Sequence, residues 1–254
     1  MTFGADSAGD QTGTPVASVG DSVRDFAVVG TGTGVGKTVV TAGLVGTLRE
    51  AGVDACGVKP AQTGYPLDHD AGFIADACGS EAASTCLRRL EPALAPAVAA
   101  EQAGETLEYG AIRRDCAQAV RTADVGIVEG IGGLRVPLAD DHEIVDLVAD
   151  LDLPTVVVAR AGLGTLNHSA LTVEALRRRD IEVTGVVLNG DANETLAKRT
   201  NPDVLAEMTG CRIETLPSLD LDNPVDAVEG VREHLSTKVL PTREPGRSPR
   251  EESP

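Results

Sequence analysis

The run Gly30-Thr31-Gly32-Thr33-Gly34-Val35-Gly36-Lys37-Thr38 follows directly on the β-branched stretch Phe26–Val29 and leads into a helical pattern, Lys37–Ala51. A strand, a glycine-rich turn and a helix in that order build an anion cradle. Glycines let backbone N–H groups wrap the anion, and the helix start adds its positive dipole end. Lys37 can reach terminal phosphates, and the Thr38 hydroxyl can bind magnesium. Gly30 and Gly36 enclose five residues, where the usual phosphate loop has about four. The Gly-Lys-Thr core keeps its context and reads as a nucleoside triphosphate site; a purely structural turn is the alternative. A dinucleotide fold would not need Lys37-Thr38, and no acidic residue ends the second strand to hold a ribose. Lys59-Pro60 stands there instead.

Downstream, short apolar runs alternate with helical patterns, as repeated βαβ units do around a mostly parallel sheet. Strands are expected at Phe26–Val29, Ala55–Val58, Val125–Val128, Thr155–Ala159, Val183–Leu188 and Ile213–Leu216. Most are continuously apolar, the pattern of strands covered on both faces. Helices are expected at Lys37–Ala51, Ala71–Cys78, Leu107–Arg121, Ile144–Ala149, Asn167–Arg179, Pro202–Thr209 and Val225–His234. The fold class is therefore α/β, a doubly wound, mostly parallel sheet flanked by helices and of the P-loop NTPase type. One domain is expected over 26–238. The aperiodic residues 1–25 and the Pro-, Arg- and Glu-rich residues 239–254 are expected to be disordered tails.

Asp and Glu total 39 against 22 Lys and Arg, a formal net charge of −17. That field opposes an unassisted grip on nucleic acid or an anionic membrane, so neither is expected as a partner. An anionic ligand needs a locally positive or amide-lined pocket. Lysine occurs only at Lys37, Lys59, Lys198 and Lys238. The imbalance suggests an acidic proteome adapted to concentrated salt, with compositional drift at high genomic GC content as the alternative. Cys56, Cys78, Cys86, Cys116 and Cys211 form no Cys-x-x-Cys pair and read as reduced thiols of a cytoplasmic protein. The first residues lack a signal pattern, and no apolar run approaches the ~20 residues of a membrane span.

In doubly wound sheets ligands sit beyond the carboxyl ends of the strands. Lys59 ends the second strand and would face the same crevice as the loop; a solvated loop lysine is the bland alternative. Asp70 opens a helix, where its default role is an N-cap. Glu129 ends Val125–Val128 and enters Gly130-Ile131-Gly132-Gly133. A carboxylate there is placed to hold Mg²⁺ directly or through water, and the glycines suit either close approach to a ligand or a tight turn.

Taken together, Gly30 to Thr38, Lys59-Pro60-Ala61-Gln62-Thr63-Gly64, Glu129 to Leu138, Gly164-Thr165-Leu166-Asn167-His168 and Val187-Leu188-Asn189-Gly190 resemble the dethiobiotin synthetase family. The order and spacing match from about Phe26 to His234. The family closes a cyclic urea on 7,8-diaminononanoate with CO₂ and ATP, giving dethiobiotin, ADP and phosphate. The resemblance implies ATP and Mg²⁺ as cofactors and a homodimer as the assembly. Lys37 and Lys59 match the catalytic lysines. Thr33, Gly34, Val35, Gly36, Lys37, Thr38 and Val39 match the nucleotide loop. Thr38, Asp70 and Glu129 match the magnesium set, with Asp68 two residues away as the other carboxylate for that role. Glu129, Gly130, Ile131 and Gly132 border the nucleotide. Asn189 and Gly190 would read the adenine, with Pro217, Ser218 and Leu219 closing the base pocket. Thr63 and Lys59 would contact the diamine, and Gly164, Thr165, Leu166 and Asn167 would receive the substrate carboxylate across the dimer interface.

This sequence departs from the family pattern at Gly32, usually acidic, and at Val98 in the run Ala95–Ala100, often a histidine. His168 reads as a capping or packing residue at a helix start rather than a base. Two rivals share the loop. A cobyrinate-type amide synthetase normally needs a glutaminase domain for which this length has no room. A partitioning-type ATPase switch carries a second loop lysine, which Thr31-Gly32 does not supply.

Overall fold

The structure is a computed structural model, and it describes residues 23–190 and 196–242. Among the described residues eleven strands form: β1 Phe26–Gly30, β2 Ala55–Lys59, β3 Gln62–Thr63, β4 Ser84–Cys86, β5 Arg89–Leu90, β6 Val125–Glu129, β7 Pro137–Ala139, β8 His142–Glu143, β9 Thr155–Arg160, β10 Val183–Asn189 and β11 Ile213–Leu216. The α-helices are α1 Lys37–Glu50, α2 Asp70–Ala77, α3 Pro96–Ala103, α4 Tyr109–Val120, α5 Ile144–Asp150, α6 Thr165–Arg177, α7 Leu196–Thr209 and α8 Asp226–His234. The central sheet has seven strands in the order β11-β10-β9-β1-β6-β2-β4. Every neighbouring pair in it is parallel.

Side chains alternate across each strand, so a strand buried on both faces is apolar at every position. In β1, Phe26 and Val28 enter one core with α1, α2 and α8 residues such as Val40, Ile74 and Val231. Ala27 and Val29 enter the opposite core with Val120 of α4, Val148 of α5, Leu176 of α6 and Leu205 of α7. A third cluster, including Leu90, Ala99, Ile112 and Leu138, lies beneath α3 to α5. Helix α8 crosses α1 closely because Gly43 and Gly46 carry no side chain. A Cβ on Gly43 would lie 2.2 Å from the Val231 side chain, and one on Gly46 2.4 Å from Val228.

Every expected strand and helix forms, with three corrections. The edge strand β4, the short strands β3, β5, β7 and β8 that form two small two-stranded sheets, and the helix α3 are not among the expected elements: β4 reads Ser-Thr-Cys and is half-buried, and α3 is an alanine-rich turn sequence started by Pro96 at its first position. Helix α7 begins at Leu196, not at Pro202, which lies inside it; a proline there removes one backbone hydrogen bond without ending the helix. The packed body also reaches past 26–238. Val23 bridges Thr242, the Arg24 amide donates to the Pro241 carbonyl at 3.2 Å, and Val23, Val239 and Leu240 are buried. Such short apolar stretches carry no periodicity to read. The rest of the expected tails, 1–22 and 243–254, lies outside the described residues.

Candidate active site

Strand β1 sits at the centre of the sheet between β9 and β6, where the chain reverses its winding and the strand ends diverge. The loop leaving β1 is pinned on both sides. The Thr31 amide donates to the Val158 carbonyl at 3.0 Å, and Thr31 also bridges Gly133 beyond β6. Gly34 and Gly36 have φ of 67° and 101°, left-handed values that admit glycine at little cost. Gly36 is doubly constrained, because a Cβ there would fall 1.9 Å from Asn189 Nδ2.

The loop opens onto a cleft of about 620 Å³. Thr33, Gly34, Gly36, Lys37, Thr38 and Val39 line it from the loop side, and Lys59, Thr63 and Asp70 line it from β2 and the segment that follows. Glu129, Ile131 and Gly132 close it from β6. Val35 instead packs downward into the core, and Gly130 contributes its carbonyl, 3.4 Å from Lys59 Nζ.

Glu129 is fully buried at the end of β6 and is the hub of the site. Its Oε1 accepts from Thr38 Oγ1 at 2.9 Å and from Lys59 Nζ at 2.8 Å. Lys59 is 3% exposed and also meets Asp70 Oδ2 at 2.5 Å. Asp70 is held in turn by Gln62 of β3. The Gln62 Oε1 accepts the Asp70 amide at 3.2 Å while Nε2 donates to the Thr63 carbonyl at 2.9 Å. The Lys37 ammonium donates to the Gly32 and Gly132 carbonyls at 3.1 and 2.9 Å.

The two lysines diverge in acidity. Burial, and then the like charge of Lys59, pull Lys37 down to about 8. Burial also acts against charged Lys59, but Glu129 and Asp70 outweigh it and hold that ammonium above the ordinary lysine value. A divalent cation fits the remaining donors. Glu129 Oε2 is buried without a hydrogen-bond partner, and Thr38 and Asp70 add hard oxygen atoms. Among the described residues no group of three His, Cys, Asp or Glu side chains is placed to hold a metal; a Mg²⁺ ion commonly uses one or two carboxylates together with substrate phosphates.

The other expected residues gather at the same edge of the sheet but do not line the cleft. Asn189 lies behind the loop and donates Nδ2 to the Val35 carbonyl at 3.0 Å. Gly190 donates to the Leu216 carbonyl at 2.9 Å, which brings Pro217, Ser218 and Leu219 beside it. The Leu219 side chain packs toward Gly230 of α8. Gly164, with φ 87°, caps α6; Thr165 is buried, Leu166 is half-buried and Asn167 is exposed. His168 is exposed, with its ring near Gly164.

Gln62 and Arg160 were not singled out from the sequence. Arg160 ends β9 and donates from Nε and Nη2 to the Gly34 carbonyl at 3.2 and 3.0 Å. Its place at the carboxyl end of a central strand was the available signal.

A family model described as an AAA domain matches residues 24–240. Among curated relatives, the ATP-dependent dethiobiotin synthetase BioD of Haloferax mediterranei is 66% identical, covering 85% of this chain and 94% of the relative. The protein of that name from Aquifex aeolicus is 31% identical over 84% of this chain and 98% of its own. Solved structures share the fold at low identity. FtsY from Elizabethkingia anophelis gives a TM-score of 0.53 at 13% identity, covering 85% of this chain and 70% of that one. Chloroplast FtsY from Physcomitrella patens gives 0.52 at 15%, covering 82% of this chain and 65% of that one. With a loop, two buried lysines and a shared carboxylate gathered at the switch point of the sheet, and relatives of one name across nearly their full length, the chain belongs to the ATP-dependent dethiobiotin synthetase family.

Proposed function

We propose that this chain carboxylates 7,8-diaminononanoate with CO₂ and closes the ureido ring of dethiobiotin, releasing ADP and phosphate. The observation that carries the reading is the convergence of Lys37, Lys59, Thr33, Thr63 and Glu129 on one cleft. One amine captures CO₂ as a carbamate, whose carboxylate is a poor electrophile. Transfer of the terminal phosphoryl group onto that carboxylate makes a mixed anhydride, and the neighbouring amine attacks its carbonyl carbon, loses a proton and expels phosphate.

The side chains do little covalent work; they position and neutralise. Lys37, on the loop, stabilises charge moving onto the leaving and transferred phosphoryl oxygens. Lys59, fixed by Glu129 and Asp70, presents an ammonium to the carbamate oxygens. Thr33 and Thr63 orient the reacting groups. Thr38, Asp70 and Glu129 would hold Mg²⁺, which when bound neutralises phosphate charge. Asn189, Gly190 and Pro217 to Leu219 would receive the base, and Gly164 to Asn167 would offer helix-start amides to the substrate carboxylate across a homodimer.

The test is whether ADP release by the purified chain depends on both the diamine and bicarbonate and yields a cyclic urea. Stimulation by DNA, lipid or a protein partner, with no response to the diamine, would overturn the reading.

A further inference from the structure

We propose that Asp68 binds an ammonium group of the incoming diamine and sets selectivity for a doubly aminated substrate; this rests on the diamine reaction proposed above. A diamine with neighbouring amines holds one proton at neutral pH, because a second like charge beside the first is disfavoured; the neutral amine takes up CO₂, and the ammonium meets an anionic partner in the cleft and gives its proton to water before it closes the ring. Asp68, Asp70 and Glu129 are the carboxylates lining it. Two of them are committed, because Lys59 stands 2.5 Å from Asp70 and 2.8 Å from Glu129. The loop from Gly30 to Thr38 contains no acidic side chain. Asp68 remains. Among the described residues no ion pair or side-chain hydrogen bond engages its carboxylate.

The carboxylate is nonetheless held in place. The Asp68 amide donates to the Gly64 carbonyl at 2.9 Å, closing a turn. Its Oδ2 lies 2.6 Å from the point where a Cβ on Gly64 would fall, and Gly64 has φ 76°, so the turn requires glycine for two reasons. This lays the Asp68 carboxylate against the backbone that follows Thr63. Asp68 also lines an adjoining groove of about 420 Å³ with Leu67, His69 and Phe73, so it borders both the cleft and an approach to it.

The test is steady-state kinetics of the full chain with Asp68→Asn and Asp68→Glu. Because the residue is exposed, the interaction is screened and modest, so the diamine KM should rise about fivefold in Asp68→Asn. The turnover number and the KM for ATP should stay within about twofold. Asp68→Glu should recover most of the loss, and the gap between wild type and Asp68→Asn should narrow as salt is raised. A folded Asp68→Asn protein with an unchanged diamine KM would overturn the role of Asp68 while leaving the reaction intact. Absence of diamine-dependent ADP release by the wild-type chain would overturn the reaction and the role of Asp68 with it.

Discussion

Lys59 and Glu129 leave the ends of adjacent parallel strands, β2 and β6, and meet at 2.8 Å with both side chains almost wholly buried. A buried ion pair is seldom a net source of stability, since each charge gives up its water. Here Asp70 adds to the lysine and Thr38 to Glu129 Oε1, while Glu129 Oε2 stays without a hydrogen-bond partner, so the pair holds an ammonium and a carboxylate in fixed register beside the phosphate loop. That is an arrangement suited to binding charge that develops during a reaction.

Replacing Lys59 with glutamine is expected to lower turnover by about 10² or more, on the scale seen when one preorganised charge-stabilising donor is removed. Glu129 and Asp70 would then face each other without a cation, so thermal stability should also fall. Retained turnover in folded Lys59→Gln would remove this residue from the mechanism.

Lys37 provides a pH signature. Its ammonium titrates near 8 in the folded chain, below the ordinary value of 10.5. Above pH 8 the loop therefore loses the charge we propose Lys37 offers to the phosphates, and kcat/KM for ATP should fall about tenfold per pH unit. Stability moves in the opposite sense. Between 8 and 10.5 the unfolded chain still holds the proton that the folded chain has released, so the contribution of this group to stability rises with pH across that window. A pH–rate profile paired with urea titrations at several pH values would check both directions.

Glu129→Gln keeps the shape of the hub but removes its charge. The concentration of Mg²⁺ giving half-maximal turnover should rise by about tenfold or more, since one of the two hard anionic ligands is lost. Unchanged Mg²⁺ dependence would show that the cation is held elsewhere.

Arg160→Ala should leave stability nearly unaltered, because the side chain is exposed, yet it deprives the Gly34 carbonyl of both guanidinium donors. The KM for ATP is expected to rise about threefold to tenfold, the cost of one charge-assisted anchor. Arg160→Lys should restore part of it, a lysine lacking the planar fork. Equal KM values in all three proteins would contradict an anchoring role.

Much of this was legible before folding. The strands β1, β2, β6, β9 and β10 are apolar at nearly every position because both faces are covered, and that pattern is local. Lys37 could be located from the Gly-Lys-Thr turn between a strand and a helix, and Lys59 and Glu129 because ligands sit beyond the carboxyl ends of parallel strands. Gln62 and Arg160 carry no distinguishing sequence signal of their own, because a polar residue at the start or end of a strand has many uses. Their roles depend on partners 8 and 126 residues away, respectively.

What the amino-acid sequence alone determined was the alternation of elements, the phosphate loop and the identity of the charged residues at the strand ends, all set by spacing and local backbone preference. Only the tertiary structure decided that Glu129 would be shared by Thr38 and Lys59, that Asn189 would brace the loop from behind, and that Asp68 would stand without a cation. Those outcomes depend on distances between strands far apart in the chain, and electrostatic interaction in a buried site follows distance and desolvation, neither of which is written in residue order.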